Sequence, residues 1–186
     1  MATVPNTKRV TYEEWLRMPE VSGAIEEVVN GEIRIMPPPK WNHTRIVLEI
    51  NAAFTAQVEP REVMVVAAQF GLVIRRAPLT TRVPDLAIFI KSTIVEKDGY
   101  LHSAPQLVVE VISPSNTPAE IQEKLKDYAS IGVPEIWVFV AETKTVEVWY
   151  LEGGRLRCVR TVKEAGVLTP RHFPDVKVDI AKVWPE

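Results

Sequence analysis

A single carboxylate, Glu110, interrupts an apolar run from Leu107 to Ile112. A strand that is apolar at nearly every position is typical of a sheet with both faces covered, which predicts an α/β fold. An unpaired charge inside such a sheet would be very costly, so Glu110 requires a partner. The run therefore predicts a buried polar site, although an edge strand with Glu110 facing water, or a structural ion pair with an Arg or Lys, remains open.

A second acid stands at the start of another apolar run, where Pro84 and Asp85 precede residues 86–90. Taken alone, Asp85 would more often be a turn residue or a partner of Arg82. Together with Glu110 it is more informative, because two acids on neighbouring strands repel each other unless a cation lies between them. A hard divalent ion fits oxygen ligands best. The pair therefore predicts a Mg²⁺ site, with Mn²⁺ as a substitute.

A helix predicted over Pro118 to Ile131 adds a lysine to these acids. Lys124 lies three and four residues from Ile121 and Tyr128, so it borders the apolar stripe of the helix. Its ammonium could turn outward or pair with Glu120. Directed at the acids instead, it could orient a water molecule or a phosphate.

Local signals also organise the N-terminal part of the chain. Thr11 and Glu14 form a capping box that predicts a short helix to about Met18. The dipeptide at positions 30–31, Asn-Gly, predicts a hairpin between residues 26–29 and 32–36. Because side chains alternate along a strand, either position 26 or Glu27 must face inward, which makes Glu27 a possible fourth member of the site.

The remaining elements follow from apolar patterning. A long helix is predicted through Ile46 and Val58, with His43 near its start, either as a surface residue or as a contact to phosphate. The tryptophans and tyrosines are interpreted as core or sheet-surface residues and not as base-stacking platforms. The predicted strands span residues 63–67, 71–74, 85–90, 107–112, 135–140, 145–151 and about 155–162, the last three as a meander.

Length and composition limit the class of protein. The 186 residues fit one domain, 1–186, and the net charge of −2 removes a global basic signature, so nucleic-acid binding would need a local patch. Candidates are Lys8 with Arg9, residues 40–45, and residues 75, 76 and 82. The sequence has no apolar run long enough for a membrane span. It has one cysteine, Cys158, and therefore no internal disulfide, so a cytoplasmic protein is predicted.

These motifs occur in a recognisable order: Glu27 to Glu32, the prolines before His43, Pro84-Asp85, Glu110 to Ser115, Lys124 with Tyr128, and Gly132 to Trp137. In this order, from about Thr11 to Leu151, the sequence resembles the Uma-type family of restriction endonucleases within the PD-(D/E)XK nuclease superfamily. The resemblance implies a restriction-endonuclease-like core, a mixed β-sheet flanked by α-helices, with an N-terminal hairpin and a C-terminal β-meander.

The resemblance also assigns roles to residues. Asp85 and Glu110 would bind the metal, and Glu27 and Lys124 would complete the catalytic group. The superfamily usually places its lysine two residues after the Glu, where this chain has Ile112, so the ammonium would come from the following helix. The substrate would be contacted by His43, Arg82 and Ser113.

The implied function is that of a metal-dependent endonuclease that hydrolyses nucleic-acid phosphodiester bonds, with DNA favoured over RNA. A homodimer is expected because cutting a duplex calls for two sites. The alternative is a non-catalytic homodimeric or protein-binding module that keeps the fold and uses the acids as structural polar groups.

Overall fold

The computed structural model describes residues 9–19, 23–67, 70–114 and 116–185. Its helices and strands are α1 (Tyr12–Trp15), β1 (Ile25–Val29), β2 (Glu32–Met36), α2 (Trp41–Thr55), β3 (Val63–Val66), β4 (Leu72–Arg76), β5 (Leu79–Arg82), β6 (Leu86–Ile90), β7 (Glu96–Lys97), β8 (Tyr100–Leu101), β9 (Leu107–Ile112), α3 (Pro118–Ser130), β10 (Glu135–Val140), β11 (Thr145–Glu152), β12 (Arg155–Lys163), β13 (Val167–Leu168), β14 (Val178–Asp179) and α4 (Ile180–Val183).

Strands β1 to β12 form two six-stranded sheets, and β13 pairs separately with β14. The first has the order β2-β1-β5-β4-β8-β7, and the second has the order β12-β11-β10-β9-β6-β3. In the second sheet β9 and β10 are parallel, whereas β9 and β6 are antiparallel. The predicted mixed sheet is therefore confirmed, and β9, which carries Glu110, is a central strand of it.

Helices cover both faces of the second sheet. Alternate residues of β9, including Val109, pack with Phe54 of α2 in one hydrophobic core. Val108, which points the other way, packs with Leu125 of α3 and with Leu72 of β4. Because side chains two apart share a face, Glu110 lies on the same side as Val108, beneath α3.

Local sequence signals account for both helices and turns. Thr11 and Glu14 form the predicted capping box, although the helix ends at Trp15 and only a turn continues it. Asn30 and Gly31 have φ angles of 52° and 83°, as a type I′ turn requires, so the predicted hairpin is confirmed. In α3 the capping box begins at Thr117, and Pro occupies the first turn.

The C-terminal part combines a predicted meander with elements that the sequence did not reveal. Strands β10, β11 and β12 pair in order as antiparallel neighbours. Beyond them, β13 and β14 are two residues long, too short to show a periodic pattern. Val178 and Ile180 of this region nevertheless join the core beneath α2. No helix in the described part of the chain is long and apolar enough to cross a membrane.

Candidate active site

The acid that interrupts β9 is buried beneath α3. Glu110 is 5% exposed, and β9 is flanked by β10 and β6, so the edge-strand alternative is wrong. A buried carboxylate at the centre of a sheet must be compensated by hydrogen bonds or by opposite charge. Two side chains of α3 supply both.

The first of these is Lys124. Its Nζ atom lies 3.1 Å from Oε2 of Glu110 and 3.2 Å from Oε1 of Glu27. The outward pairing with Glu120 does not occur, because the Glu120 carboxylate caps α3 at Thr117. The lysine side chain is 19% exposed, and its ammonium joins two buried carboxylates.

The second is Tyr128, one turn further along α3. Its hydroxyl donates a short hydrogen bond to Oε1 of Glu110. Burial raises the pKa of Glu110 to about 7; the charge of Lys124 opposes this rise, and the negative charge of Asp85 adds to it. Glu110 therefore binds a proton more readily than an exposed glutamate does.

Asp85 lies at the start of β6, beside β9. The two strands are antiparallel neighbours, with Leu86 opposite Val109. The Oδ2 atom of Asp85 accepts a hydrogen bond of 2.7 Å from the backbone N–H of Val111. It also lies 3.1 Å from Nε2 of His43, and it does not pair with Arg82 as the alternative interpretation supposed. The fold thus brings the two predicted acids together on neighbouring strands.

His43 reaches this group from the first turn of α2. Its side chain is 19% exposed, so it lies at the site and not on the open surface. Burial lowers the pKa of His43, but the hydrogen bond and charge of Asp85, helped by Glu110, outweigh it and raise the pKa above its ordinary value. Its Nδ1 atom is buried and has no hydrogen-bond partner within the described residues.

Glu27 and Arg82 form a buried ion pair behind the lysine. Nη1 of Arg82 lies 2.8 Å from Oε2 of Glu27, and each side chain is 2% exposed. Arg82 also binds Oδ2 of Asp127 at 2.6 Å, and the N–H of Val83 donates to Glu27. The guanidinium is thus bound inside the protein, where it supports Glu27. A contact of Arg82 with substrate stays a prediction.

These side chains open into a cavity of about 1010 Å³. Asp85, Glu110, Lys124 and His43 line it, and Ser113 contributes to its wall beside Asn116, whose Oδ1 accepts from the Ser113 N–H at 2.9 Å. We call Glu27, Asp85, Glu110 and Lys124 the acid–lysine cluster. Five of the seven sequence-predicted site residues therefore line one cavity, whereas Glu27 and Arg82 do not.

The donor set of the cluster suits a hard cation. Within the described residues, no three His, Cys, Asp or Glu side chains are grouped as a complete ligand set. Magnesium, however, commonly binds through one or two carboxylates and keeps several of its waters. Asp85 and Glu110 offer such a pair, and both line the same cavity.

The predicted basic patches differ in their surroundings. Lys8 lies outside the described residues. Arg75 donates to the Asn30 side chain, and the Arg76 guanidinium lies over the ring of Tyr12. Lys40, in contrast, is exposed and lines the cavity. Among these candidates, the residues that line the cavity therefore lie at the start of α2 and not on β4.

Two further residues of the site were missed in the sequence. Tyr128 was assigned to an apolar stripe, although its position four residues after Lys124 places both on the face that covers Glu110. Asp127 binds Arg82 across 45 residues of sequence, a separation that no local pattern encodes.

The chain is similar to known proteins in sequence and in structure. A model of the Uma2 family, described as "putative restriction endonuclease", matches residues 12–181. A crystal structure from Anabaena variabilis, titled a "putative nuclease", is 20% identical in sequence and superposes with a TM-score of 0.77, covering 94% of this chain and 97% of that one. At this identity the likeness shows the fold, and it confirms the predicted restriction-endonuclease-like core. No curated protein matches the chain.

Proposed function

Because this chain belongs to the Uma2 family, described as "putative restriction endonuclease", we propose that its acid–lysine cluster is the active site of a metal-dependent endonuclease. The reaction would be hydrolysis of phosphodiester bonds in nucleic acid, with DNA as the favoured substrate. One observation carries this proposal: the Lys124 ammonium lies 3.1 Å from Glu110, in the same cavity as Asp85. Acids and a lysine grouped around an open cavity are the parts that metal-assisted phosphoryl chemistry requires.

Asp85 and Glu110 would hold the metal, Mg²⁺ or Mn²⁺ as a substitute. A bound divalent ion polarises the scissile phosphate and lowers the pKa of a coordinated water. Asp85 is kept in place by the Val111 N–H and by His43, so its carboxylate is oriented before any ion arrives. Such fixed partners of a ligating group are a common feature of metal sites.

Lys124 would act as a permanent cation. Burial lowers its pKa, but the carboxylates of Glu110, Glu27 and Asp85 outweigh this effect and raise the pKa above its ordinary value. Its Nζ atom is held by Glu110 and Glu27 beside the cavity that Asp85 also lines. We therefore assign it to orienting the nucleophilic water and stabilising negative charge on the phosphate.

Glu27 and Arg82 would position that cation. Glu27 accepts from Lys124, and Arg82 holds Glu27 from the opposite side. Ser113 lies on the cavity wall, where it would contact the substrate strand. Duplex cleavage would call for two such sites, for which a homodimer is the simplest assembly.

A non-catalytic module is the second candidate, and one observation favours it. Glu110, Lys124 and Tyr128 already satisfy one another, as the members of a structural ion pair would. This module would have no affinity for divalent metal. Metal binding to the folded protein therefore separates the two candidates.

The experiment is a calorimetric titration with Mn²⁺, combined with a nicking assay on supercoiled plasmid. It compares the wild type with the double variant Asp85→Ala/Glu110→Ala and with Glu49→Ala, which removes an exposed acid of α2. We expect binding and nicking in the wild type and in Glu49→Ala, and loss of both in the double variant. Nicking that survives in the double variant, or a wild type that binds no metal, would refute the proposed active site.

A further inference from the structure

Trp41 is exposed beside the acid–lysine cluster. The sequence interpretation placed tryptophans in the core or on sheet surfaces, but 68% of Trp41 is accessible, the largest fraction among the large hydrophobic side chains of the described residues. It is the first residue of α2, and it lines the cavity into which Glu110 and Lys124 open. An aromatic ring left in solvent at the entrance of a site is available to a ligand with a flat apolar face.

The wall next to this ring is apolar. Pro37, Pro38 and Pro39 lead into α2 and line the same cavity, which Val83 and Ile112 extend toward the acids. The cavity volume of about 1010 Å³ is at the upper end of the range for sites that enclose small organic groups. There is room for a planar base beside the cluster as well as for the phosphate that the cluster would attack.

The charges near Trp41 fit a phosphate backbone. Lys40 precedes the tryptophan, and Lys144 lies on another part of the cavity lining; both are exposed. The first turn of α2 contains no acidic residue, and Lys40 forms no side-chain cap there. The amide groups of such a turn favour an anion over a cation.

We propose that Trp41 and the three prolines form a subsite for one unpaired nucleobase of the substrate strand, with Lys40 and Lys144 contacting the flanking phosphates. The inference rests on the proposed nuclease function and specifies its substrate: a base at this position must be free to stack on the indole. In a duplex both faces of a base are already stacked, so single-stranded DNA is preferred over duplex of the same sequence.

The test is equilibrium binding without divalent metal, measured by fluorescence anisotropy at low salt. The probes are a labelled single strand, the matching duplex, and a strand of the same length in which every nucleotide is abasic. The wild type should bind the base-bearing strand most tightly. Trp41→Ala should weaken that binding by about ten- to a hundredfold and leave the other two probes unchanged, because stacking on an aromatic ring requires a base.

Two variants control for indirect effects. Trp41→Phe keeps an aromatic ring and should retain most of the affinity. Leu48→Ala removes a side chain that is 51% exposed on the same helix and does not line the cavity, so its binding should equal that of the wild type. Circular dichroism of each variant shows whether the fold is intact.

Several outcomes would overturn the subsite. They are equal affinity of Trp41→Ala and the wild type for the single strand, equal loss in Leu48→Ala, and no preference of the wild type for bases over abasic nucleotides. Dissociation of a dimer by Trp41→Ala with unchanged DNA binding would assign the surface to a second copy of the chain instead.

The assay separates this inference from the proposed function because it requires no cleavage. Trp41-dependent binding of single strands by a protein that nicks no plasmid with any metal would support the subsite and refute the nuclease. Plasmid nicking by a protein that binds single strands equally well with and without Trp41→Ala would support the nuclease and refute the subsite.

Discussion

Arg82 and Glu27 form an ion pair that is sealed from solvent: 2.8 Å separate Nη1 from Oε2, and each side chain is 2% exposed. Glu27 uses its other oxygen to bind Lys124. Glu27 therefore links Arg82 of β5 to Lys124 of α3, and the position of the lysine depends on both contacts. Support of this kind fixes the direction of a flexible four-carbon side chain.

Removing Arg82 should destabilise the protein severely. In Arg82→Ala, Asp127 loses its cationic partner, and the buried Glu27 keeps only Lys124. Breaking a buried pair by deleting one member typically costs about 3–5 kcal/mol. Chemical denaturation should show a loss of this size in the free energy of unfolding.

Arg34 provides the matched control. It pairs with Glu123 at 2.7 Å, but its side chain is 39% exposed. Exposed pairs contribute about 0–1 kcal/mol, so Arg34→Ala should be nearly neutral. Equal losses for the two arginine variants would show that burial does not decide the strength of the Arg82 pair.

The stability of the protein should depend on Glu27 at acid pH. Burial raises the pKa of Glu27, but Lys124, Arg82 and the Val83 N–H outweigh this effect and lower it below the ordinary value of 4.5. In the acid range the unfolded chain thus binds a proton at Glu27 before the folded chain does. The stabilisation from ionised Glu27 is complete above about pH 4.5 and is lost as the pH falls through the folded pKa.

Comparison with Glu27→Gln isolates this contribution, because the amide does not titrate. The free energy of unfolding of wild type and variant, measured by urea denaturation from pH 7 to pH 3, should differ most at neutral pH and converge as the pH falls. A difference that stays constant across this range would contradict a lowered pKa at Glu27.

The cluster could be predicted from sequence because its members violate local patterns. Glu110 stands in a strand with apolar neighbours on both sides, and Lys124 stands beside the apolar stripe of a helix. Burial then leaves few partners for either charge. Asp85 became a candidate site residue only in combination with Glu110, since an acid before a strand is common by itself.

The remaining features depend on contacts between distant segments. Glu27 meets Arg82 across 55 residues of sequence, and neither position has an unusual neighbourhood. Strand β5 contains two buried threonines that a periodicity argument does not detect; Oγ1 of Thr81 accepts from the Val28 N–H at 2.9 Å. The exposure of Trp41 likewise depends on the path by which the prolines lead into α2. The sequence pattern does not determine that path.

Loss of the Tyr128 hydroxyl should weaken the fold without disturbing its packing. Tyr128→Phe keeps the ring, which is fully buried in the core between α3 and β9, but removes the donor to Glu110. A hydrogen bond to a charged group contributes about 1.5–3 kcal/mol. We expect a loss of that order by urea denaturation at pH 8, and an unchanged free energy of unfolding would show that the bond contributes nothing there.

Lys124→Met separates a catalytic lysine from a structural one. Methionine approximates the length of the side chain and removes its charge, so a folded variant should still bind Mn²⁺ through Asp85 and Glu110. Nicking of plasmid should nevertheless be abolished, because no cation then orients the nucleophile or stabilises charge on the phosphate. Lys126→Met, which changes an exposed lysine on the opposite face of α3, should nick at the wild-type rate. If Lys124→Met nicks as fast as Lys126→Met, the ammonium serves only to neutralise Glu27 and Glu110.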